Sequence, residues 1–230
     1  MDRTGLARII FITGTDTGVG KTLLTCLLLH HLRQRGCHAL AMKPFCSGSR
    51  ADTEFLHTAQ NAELAPDEIT PFFFAEPIAP LVAARRHHRL VALAEVLRSI
   101  TRVAGCCQCL LIEGIGGLLV PLGEGFTVRD LIASLHCEVI IVSCNRLGTI
   151  NHTLLTVEAL RTLENKGPKV VLMSHNNIDA SINSNRRILA ELLVPTPVFP
   201  IPFLGRNLTR IGALKKSEKK IQKSLALILV

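Results

Sequence analysis

Short apolar runs alternate with longer stretches of helical periodicity along most of the chain. This alternation of predicted strands and helices favours an α/β protein with a mostly parallel sheet flanked by helices. No linker is long or polar enough to divide the chain, so a single domain over residues 1–230 is expected. The pattern predicts strands over 8–13, 38–43, 107–113, 137–143, 169–174 and 197–200. It predicts helices over 21–35, about 52–60, 90–104, 127–135, 151–165, 181–193 and 212–229. A loop is predicted over 45–50 and an irregular, Pro-rich segment over 66–82.

A Gly-rich segment, residues 14–22, joins the first predicted strand to the first predicted helix. Backbone N–H groups of such a turn and the positive N-terminus of the helix bind phosphate. Lys21 would reach the β- and γ-phosphates of a nucleotide, and the Thr22 hydroxyl would hold Mg²⁺. The strict P-loop pattern G-x-x-x-x-G-K-[ST] fails at one position, because Thr15 stands where glycine is required. The segment is interpreted as a variant P-loop; the alternative is a Gly-rich turn with a chance Lys-Thr.

Other polar side chains also follow predicted strands, where open parallel sheets bind their ligands. Lys43 could neutralise charge in phosphoryl transfer, or could be an ordinary exposed lysine. Glu113 could orient Mg²⁺ or cap a loop. Asp52 could be a helix N-cap or a second Mg²⁺ ligand. Ser47 is a candidate hydrogen-bond partner for a small polar substrate.

The segment 145–151 precedes a predicted helix and suggests a second anion site. With Asn151 as N-cap, the backbone N–H groups of Gly148, Thr149, Ile150 and Asn151 would face an anion such as a substrate carboxylate. The alternative is a simple capped helix.

Composition excludes several classes of function. The net charge of +8 suits anionic ligands, but residues 215–223 hold five lysines and one glutamate, and Trp and Tyr are absent, so nucleic acid is not expected as a partner. No apolar run is long enough to span a membrane, and no secretory signal is recognised, which predicts a cytoplasmic protein. The eight cysteines are interpreted as reduced, small buried residues, and His30 and His31 as surface or helix-face residues.

Five segments together resemble the dethiobiotin synthetase family of biotin biosynthesis, over roughly residues 8–205. The resemblance implies a P-loop NTPase-like fold and an ATP-dependent ring closure. Diaminopelargonate takes up CO₂ as a carbamate, ATP phosphorylates the carbamate, and the second amine closes the ureido ring, releasing ADP and phosphate. The segments are Gly-Thr-Asp-Thr-Gly-Val-Gly-Lys-Thr (14–22), Lys-Pro-Phe-Cys-Ser-Gly (43–48), Phe-Ala-Glu-Pro-Ile-Ala-Pro (74–80), Ile-Glu-Gly-Ile-Gly-Gly-Leu-Leu-Val-Pro-Leu (112–122) and Leu-Gly-Thr-Ile-Asn-His-Thr-Leu-Leu-Thr (147–156).

The resemblance also implies roles for individual residues. Thr17 would contact the carbamate, with Lys21 and Lys43 as catalytic cations. The distal substrate carboxylate would bind the amides of 148–151, donated by the partner subunit of a two-fold homodimer. The implied Mg²⁺ ligands are Thr22, Asp52 and Glu113. The implied nucleotide contacts are Gly18, Val19, Gly20, Lys21, Thr22, Leu23, Asp52, Glu113, Gly114, Ile115 and Gly116, with Ser174, Asn176 or Asn177 and also Pro202, Phe203 and Leu204 on the adenine side.

Partition and cell-division ATPases are the rival class, since they share the P-loop and the strand order. In that class the basic tail 214–230 would serve as a membrane-surface helix. The alternative for the tail is a helix packed by its apolar side, with its lysines in water. The rival class typically has a lysine near the start of the P-loop and lacks a segment like 43–48, so the sequence favours the synthetase.

Overall fold

A computed structural model describes residues 7–163, 167–176, 179–205 and 211–230. Its main feature is a six-stranded parallel sheet flanked by helices, which confirms the predicted fold class. The strands are β1 (Arg8–Gly14), β2 (Ala39–Met42), β3 (Phe45–Ser47), β4 (Phe72–Phe74), β5 (Cys109–Gly117), β6 (Pro121–Gly123), β7 (Phe126–Thr127), β8 (Glu138–Cys144), β9 (Lys169–Met173) and β10 (Val198–Ile201). The helices are α1 (Lys21–Gln34), α2 (Ala51–Ala59), α3 (Pro66–Ile69), α4 (Pro80–Arg86), α5 (Leu93–Ala104), α6 (Val128–Leu135), α7 (Thr149–Leu160), α8 (Ile182–Leu192) and α9 (Ile211–Leu229).

The sheet has the strand order β10-β9-β8-β1-β5-β2. β1 lies between β8 and β5 and pairs in parallel with both. Strands in this position are covered on both faces, so they are apolar throughout rather than alternating. Residues 10–14 of β1 and 139–144 of β8 are accordingly buried. The carboxyl ends of the central strands therefore form one edge, and the phosphate loop follows β1 at that edge.

The C-terminal helix α9 packs against α1 through its apolar side, which confirms the packed interpretation of the tail. Its buried apolar residues include Leu214, Ile221, Leu225 and Ile228. The five lysines over 215–223 are all exposed on the other side. In the described part of the chain, no helix is long and apolar enough to cross a membrane.

Two segments predicted as loop or irregular contain regular structure. Within 45–50 lies β3, and within 66–82 lie α3, β4 and the start of α4. β3 and β4 form a small parallel sheet in which Phe45 pairs with Phe72, and their rings stack at 4.9 Å. Strands of three residues that depend on a distant partner leave no local periodicity, which is why the prediction was wrong.

Three predictions of local structure near the site were also wrong. α7 begins at Thr149 and not at 151, and its N-cap is Gly148, with φ of 89°, so Asn151 is not the N-cap. α2 has Arg50 as N-cap, which removes the capping alternative for Asp52. β5 continues to Gly117, so Glu113 lies within the strand and not at its end.

All eight cysteines lie within the described residues and are thiols rather than disulfides, in agreement with the prediction. Cys106 is nevertheless exposed, because it lies in the turn between α5 and β5, and Cys37 and Cys107 are only half-buried. Burial was also misjudged for His31, which is 1% exposed where α9 covers α1.

Candidate functional site

The phosphate loop connects the end of β1 to the start of α1 through two left-handed glycines. Gly18 and Gly20 have φ of 73° and 102°, which favours glycine over any other residue. The Lys21 ammonium donates to the carbonyl oxygens of Asp16 at 2.8 Å and Gly116 at 2.9 Å. Burial lowers the pKa of Lys21 to about 8, an effect that Glu113 opposes and Lys43 reinforces. The loop thus holds a buried cation at the N-terminus of α1, as phosphate binding requires.

A cluster of four polar side chains lies beside this loop. Glu113 is 1% exposed, and its Oε1 accepts from Lys43 Nζ at 2.6 Å and from Thr22 Oγ1 at 2.7 Å. Lys43 Nζ also lies 2.9 Å from Asp52 Oδ2. The structure therefore brings together four residues that the sequence placed at separate strand ends.

The electrostatics of this cluster favour the charged forms of Lys43 and Asp52. Burial by itself would lower the pKa of Lys43, but the carboxylates of Glu113 and Asp52 raise it well above its ordinary value. Burial would likewise raise the pKa of Asp52, but Lys43 and Thr22 hold it below its ordinary range. The Lys43 ammonium and the Asp52 carboxylate are thus available as charges for a ligand.

The donor set of the cluster fits a magnesium ion. Glu113 Oε2 is buried and has no hydrogen-bond partner within the described residues. A second carboxylate, on Asp52, and the hydroxyl of Thr22 lie next to it. Mg²⁺ prefers such oxygen ligands and takes only one or two protein carboxylates, with phosphate oxygens and waters completing its shell. No group of three or more His, Cys, Asp or Glu side chains with metal-binding geometry occurs among the described residues.

These residues line a cleft of about 400 Å³. Ser47 is on its wall, and its Oγ is buried without a hydrogen-bond partner in the described structure. Thr17 lines the same cleft, and its contact with substrate stays a prediction. Of the implied nucleotide contacts, Gly114 lies outside the cleft wall because it is packed behind β1, where a Cβ would meet Phe11 at 3.0 Å. The other residues of the wall are Gly18, Gly20, Lys21, Thr22, Leu23, Lys43, Cys46, Ser49, Ala51, Asp52, Glu113, Ile115 and Gly116.

A second cleft of about 300 Å³ lies on the other side of the phosphate loop. It shares Thr17 and Gly18 with the first cleft and adds Val19. Its remaining wall consists of Cys144, Arg146, His175 and Asp179, none of which was predicted as a site residue.

Those residues expected on the adenine side that the structure describes do not line either cleft. Ser174 donates its backbone N–H to Ile201 at 2.9 Å and so continues the β9–β10 pairing. Asn176 and Pro202 are exposed, and Phe203 is 42% exposed. Leu204 packs at the edge of the core. Asn177 lies outside the described residues, so the adenine side remains a prediction.

The segment 148–151 is only partly available for an anion. The Thr149 N–H already donates to the Arg146 carbonyl at 3.1 Å, and its hydroxyl bonds Ser143 Oγ at 2.6 Å. Ile150 is half-buried and Asn151 is exposed. The segment is absent from the described walls of the two clefts.

Sequence reasoning missed a buried hydroxyl cluster around Ser143. Ser143 Oγ accepts from Thr153 Oγ1 at 2.9 Å and from the P-loop residue Thr15 at 3.4 Å, and it also bonds Thr149. The run of threonines at 149, 153 and 156, spaced for one helix face, was the available signal. This cluster connects the P-loop to the start of α7.

A phosphate loop at the carboxyl end of a central parallel strand, beside a buried lysine–carboxylate cluster, defines a P-loop nucleotide-binding protein. The family model described as an AAA domain matches residues 8–206. The ATP-dependent dethiobiotin synthetase BioD of Anaeromyxobacter sp. (strain K) is 38% identical over 218 residues, which cover 90% of this chain and 96% of the relative. That of Bacillus subtilis (strain 168) is 36% identical over 226 residues, covering 95% and 96%. The chain belongs to the dethiobiotin synthetase family of these P-loop proteins.

Solved structures with the same fold come from the rival class. A ParA family ATPase from Chlorobium tepidum TLS superposes with a TM-score of 0.54 at 11% identity, covering 98% of this chain and 99% of that one. The MinD cell division protein of Aquifex aeolicus gives 0.55 at 14% identity, covering 97% of both chains. At this identity the likeness shows the fold alone.

Proposed function

We propose that this protein is an ATP-dependent dethiobiotin synthetase, acting as one domain on diaminopelargonate, CO₂ and ATP. The observation that carries the proposal is the pair of buried lysines, Lys21 and Lys43, in one cleft with the P-loop. Membership of the dethiobiotin synthetase family supports the same reaction. The alternative, an ATPase switch, shares the fold but gives no reason for a second buried lysine paired with Glu113.

The chemistry requires two anions to approach each other. One amine of the diamine attacks CO₂ and loses a proton, which gives a carbamate. A carbamate oxygen then attacks the γ-phosphorus of ATP and ADP leaves. The second amine attacks the carbamoyl carbon, its proton is lost, and phosphate leaves as the ring closes. Lys21 and Lys43 would neutralise the phosphate and carbamate oxygens in these steps.

A bound Mg²⁺ would be held by Thr22, Asp52 and Glu113 and would neutralise further phosphate charge. The orphan Oε2 of Glu113 supports this assignment. Thr17 and Ser47 would contact the carbamate and diamine, since both line the cleft and Ser47 Oγ lacks a partner among the described residues.

The distal carboxylate of the substrate would bind at residues 148–151 of a second subunit. A homodimer is supported by an open groove of about 450 Å³ beside the P-loop, with Leu119 and Leu155 on its wall at 64% and 62% exposure. Two exposed leucines on one groove wall are apolar surface that a subunit interface would bury. A cytoplasmic location belongs to the same proposal.

One assay tests the function. The purified protein is supplied with ATP, Mg²⁺, bicarbonate and diaminopelargonate, and dethiobiotin and ADP are measured together. The expected result is ADP release that requires the diamine and equals the dethiobiotin formed. ADP release that ignores the diamine but rises with lipid vesicles or DNA would establish the switch instead.

A further inference from the structure

The Lys43 ammonium contacts the same carboxylate oxygens that would coordinate the metal ion at the proposed site. Its ammonium lies 2.6 Å from Glu113 Oε1 and 2.9 Å from Asp52 Oδ2, which makes it a bridge between the two carboxylates. The Thr22 hydroxyl donates to the same Glu113 oxygen. The Lys43 and Glu113 side chains are 6% and 0% exposed, so bulk solvent hardly screens their contact, whereas the Asp52 side chain is 45% exposed and keeps one side open to solvent.

We infer that Lys43 competes with the divalent cation for Glu113 and Asp52, so that metal binds well only when a phosphate-bearing ligand draws the ammonium away. The inference rests on the metal ligands assigned under the proposed function. It gives Lys43 a second role, separate from its action on the reacting groups: it makes metal binding depend on the nucleotide.

The physical reason is charge repulsion inside a buried cluster. Two carboxylates bridged by an ammonium carry one net negative charge, which is a weak site for a divalent ion. Repulsion between the ammonium and that ion at a few ångströms is strong where solvent is excluded. A triphosphate in the cleft changes the balance, because its oxygens offer the ammonium new partners and the metal new ligands.

The fold permits this movement of Lys43. Its backbone N–H is fixed by the Ile69 carbonyl at 2.9 Å, while its side chain is a flexible four-carbon stem on the wall of the cleft. Lys21 offers an internal comparison. Its ammonium is held by the backbone carbonyls of Asp16 and Gly116, so it does not occupy the carboxylates.

The test measures Mn²⁺ binding to the nucleotide-free protein by electron paramagnetic resonance of the free ion. Lys43→Met is expected to bind Mn²⁺ about tenfold more tightly than wild type, within the usual range of coupling between sites. Lys21→Met is the matched control and should stay within about twofold of wild type, because it frees no carboxylate. A Lys43→Met/Glu113→Gln double variant should lose the gain, which would locate the ion at Glu113.

Equal Mn²⁺ affinity in wild type and Lys43→Met would overturn the inference, as would an equal gain in Lys21→Met. Circular dichroism checks that the variants fold. If Lys43→Met does not fold, the inference is tested instead on the wild-type protein, through the NMR resonance of the Lys43 side chain. Mg²⁺ alone, at concentrations that saturate the nucleotide complex, should leave the chemical shift of this resonance unchanged. Mg²⁺ together with a non-hydrolysable ATP analogue should change it. A shift with Mg²⁺ alone overturns the inference, while the ring-closure assay on wild type judges the proposed function separately.

Discussion

At the scale of single residues, Lys21 and Lys43 show how partners outweigh burial. Both ammonium groups are almost fully buried in one cleft. Lys21 is held by backbone carbonyls, and its pKa falls to about 8 because burial dominates. Lys43 lies against two carboxylates, and its pKa rises although it is buried as deeply. The two lysines are therefore not interchangeable, and their substitutions should fail in different ways.

Replacing Lys43 with alanine should abolish ring closure while leaving ATP binding intact. We expect kcat to fall by about a thousandfold, because a buried cation beside the reacting oxygens is lost while the P-loop is unchanged. The rate of dethiobiotin formation and the Kd for ATP, measured by calorimetry, check this. Lys220→Ala, on the exposed face of α9, should match wild type. The proposed catalytic role of Lys43 would be contradicted if Lys43→Ala bound ATP more weakly but kept the wild-type kcat at saturating ATP.

At the scale of elements, the sequence pattern predicted those features that depend on residues close together in the chain. All six strands of the main sheet were placed within a few residues, because strands covered on both faces are continuously apolar. The P-loop and its lysine were likewise readable from spacing. The β3–β4 pair and the hydroxyl cluster around Ser143 were not, because each depends on residues distant in the chain. The same limit applies to the second cleft, which only the folded chain brings together around Arg146 and His175.

The hydroxyl cluster joins two elements and predicts the cost of removing its central member. Ser143→Ala should destabilise the protein by about 1–3 kcal/mol, because buried hydroxyls of Thr149 and Thr153 lose their partner. Urea unfolding at neutral pH measures the free energy of unfolding. Ser134→Ala removes an exposed serine that bonds only within α6, and should cost less than about 0.5 kcal/mol. Equal effects of the two substitutions would mean that the cluster contributes nothing special.

The opposite end of the sheet is closed by an ion-pair network at the first residues of β1, β8 and β9. Arg8 donates two hydrogen bonds to Glu138, at 2.7 and 2.8 Å, and Lys169 lies 3.5 Å from the same carboxylate. Both cations also donate to the last carbonyls of α9, those of Leu229 and Ile228. The network therefore fastens the C-terminal helix to the sheet.

Glu138→Gln should weaken the protein in a pH-dependent way. Burial would raise the pKa of Glu138, but Arg8 and Lys169 hold it below its ordinary value of 4.5. Its contribution is therefore present above that pH and lost as the pH falls through the lower folded-state pKa. We expect a loss of about 1 kcal/mol at pH 7, after allowance for partial exposure, and convergence with wild type under acid conditions. Glu158→Gln removes an exposed pair with Arg161 and is the matched control; it should cost less than about 0.5 kcal/mol at pH 7. A constant difference at all pH values would contradict the argument.

At the scale of the whole molecule, the two ends of the sheet have different tasks. The amino ends are sealed by α9 and its ion pairs, while the carboxyl ends carry both clefts and the groove with Leu119 and Leu155. The start of α7 lies outside the described walls of both clefts in its own chain. Each substrate site of the proposed homodimer would therefore combine the P-loop of one subunit with residues 148–151 of the other.

Shared sites predict complementation between two inactive variants. Lys43→Ala damages the P-loop side, and Asn151→Asp places a negative charge beside the expected carboxylate without disturbing α7, since Asn151 is exposed in its first turn. In a mixed dimer one site carries both defects and the other carries neither. Random mixing of equal amounts should then restore about a quarter of wild-type activity. Dethiobiotin formation is measured after unfolding and joint refolding, with each variant refolded alone as the control. If each site lay within a single chain, the mixture would show no activity above the average of the two variants. The defect of Asn151→Asp would then arise in the site of the same subunit.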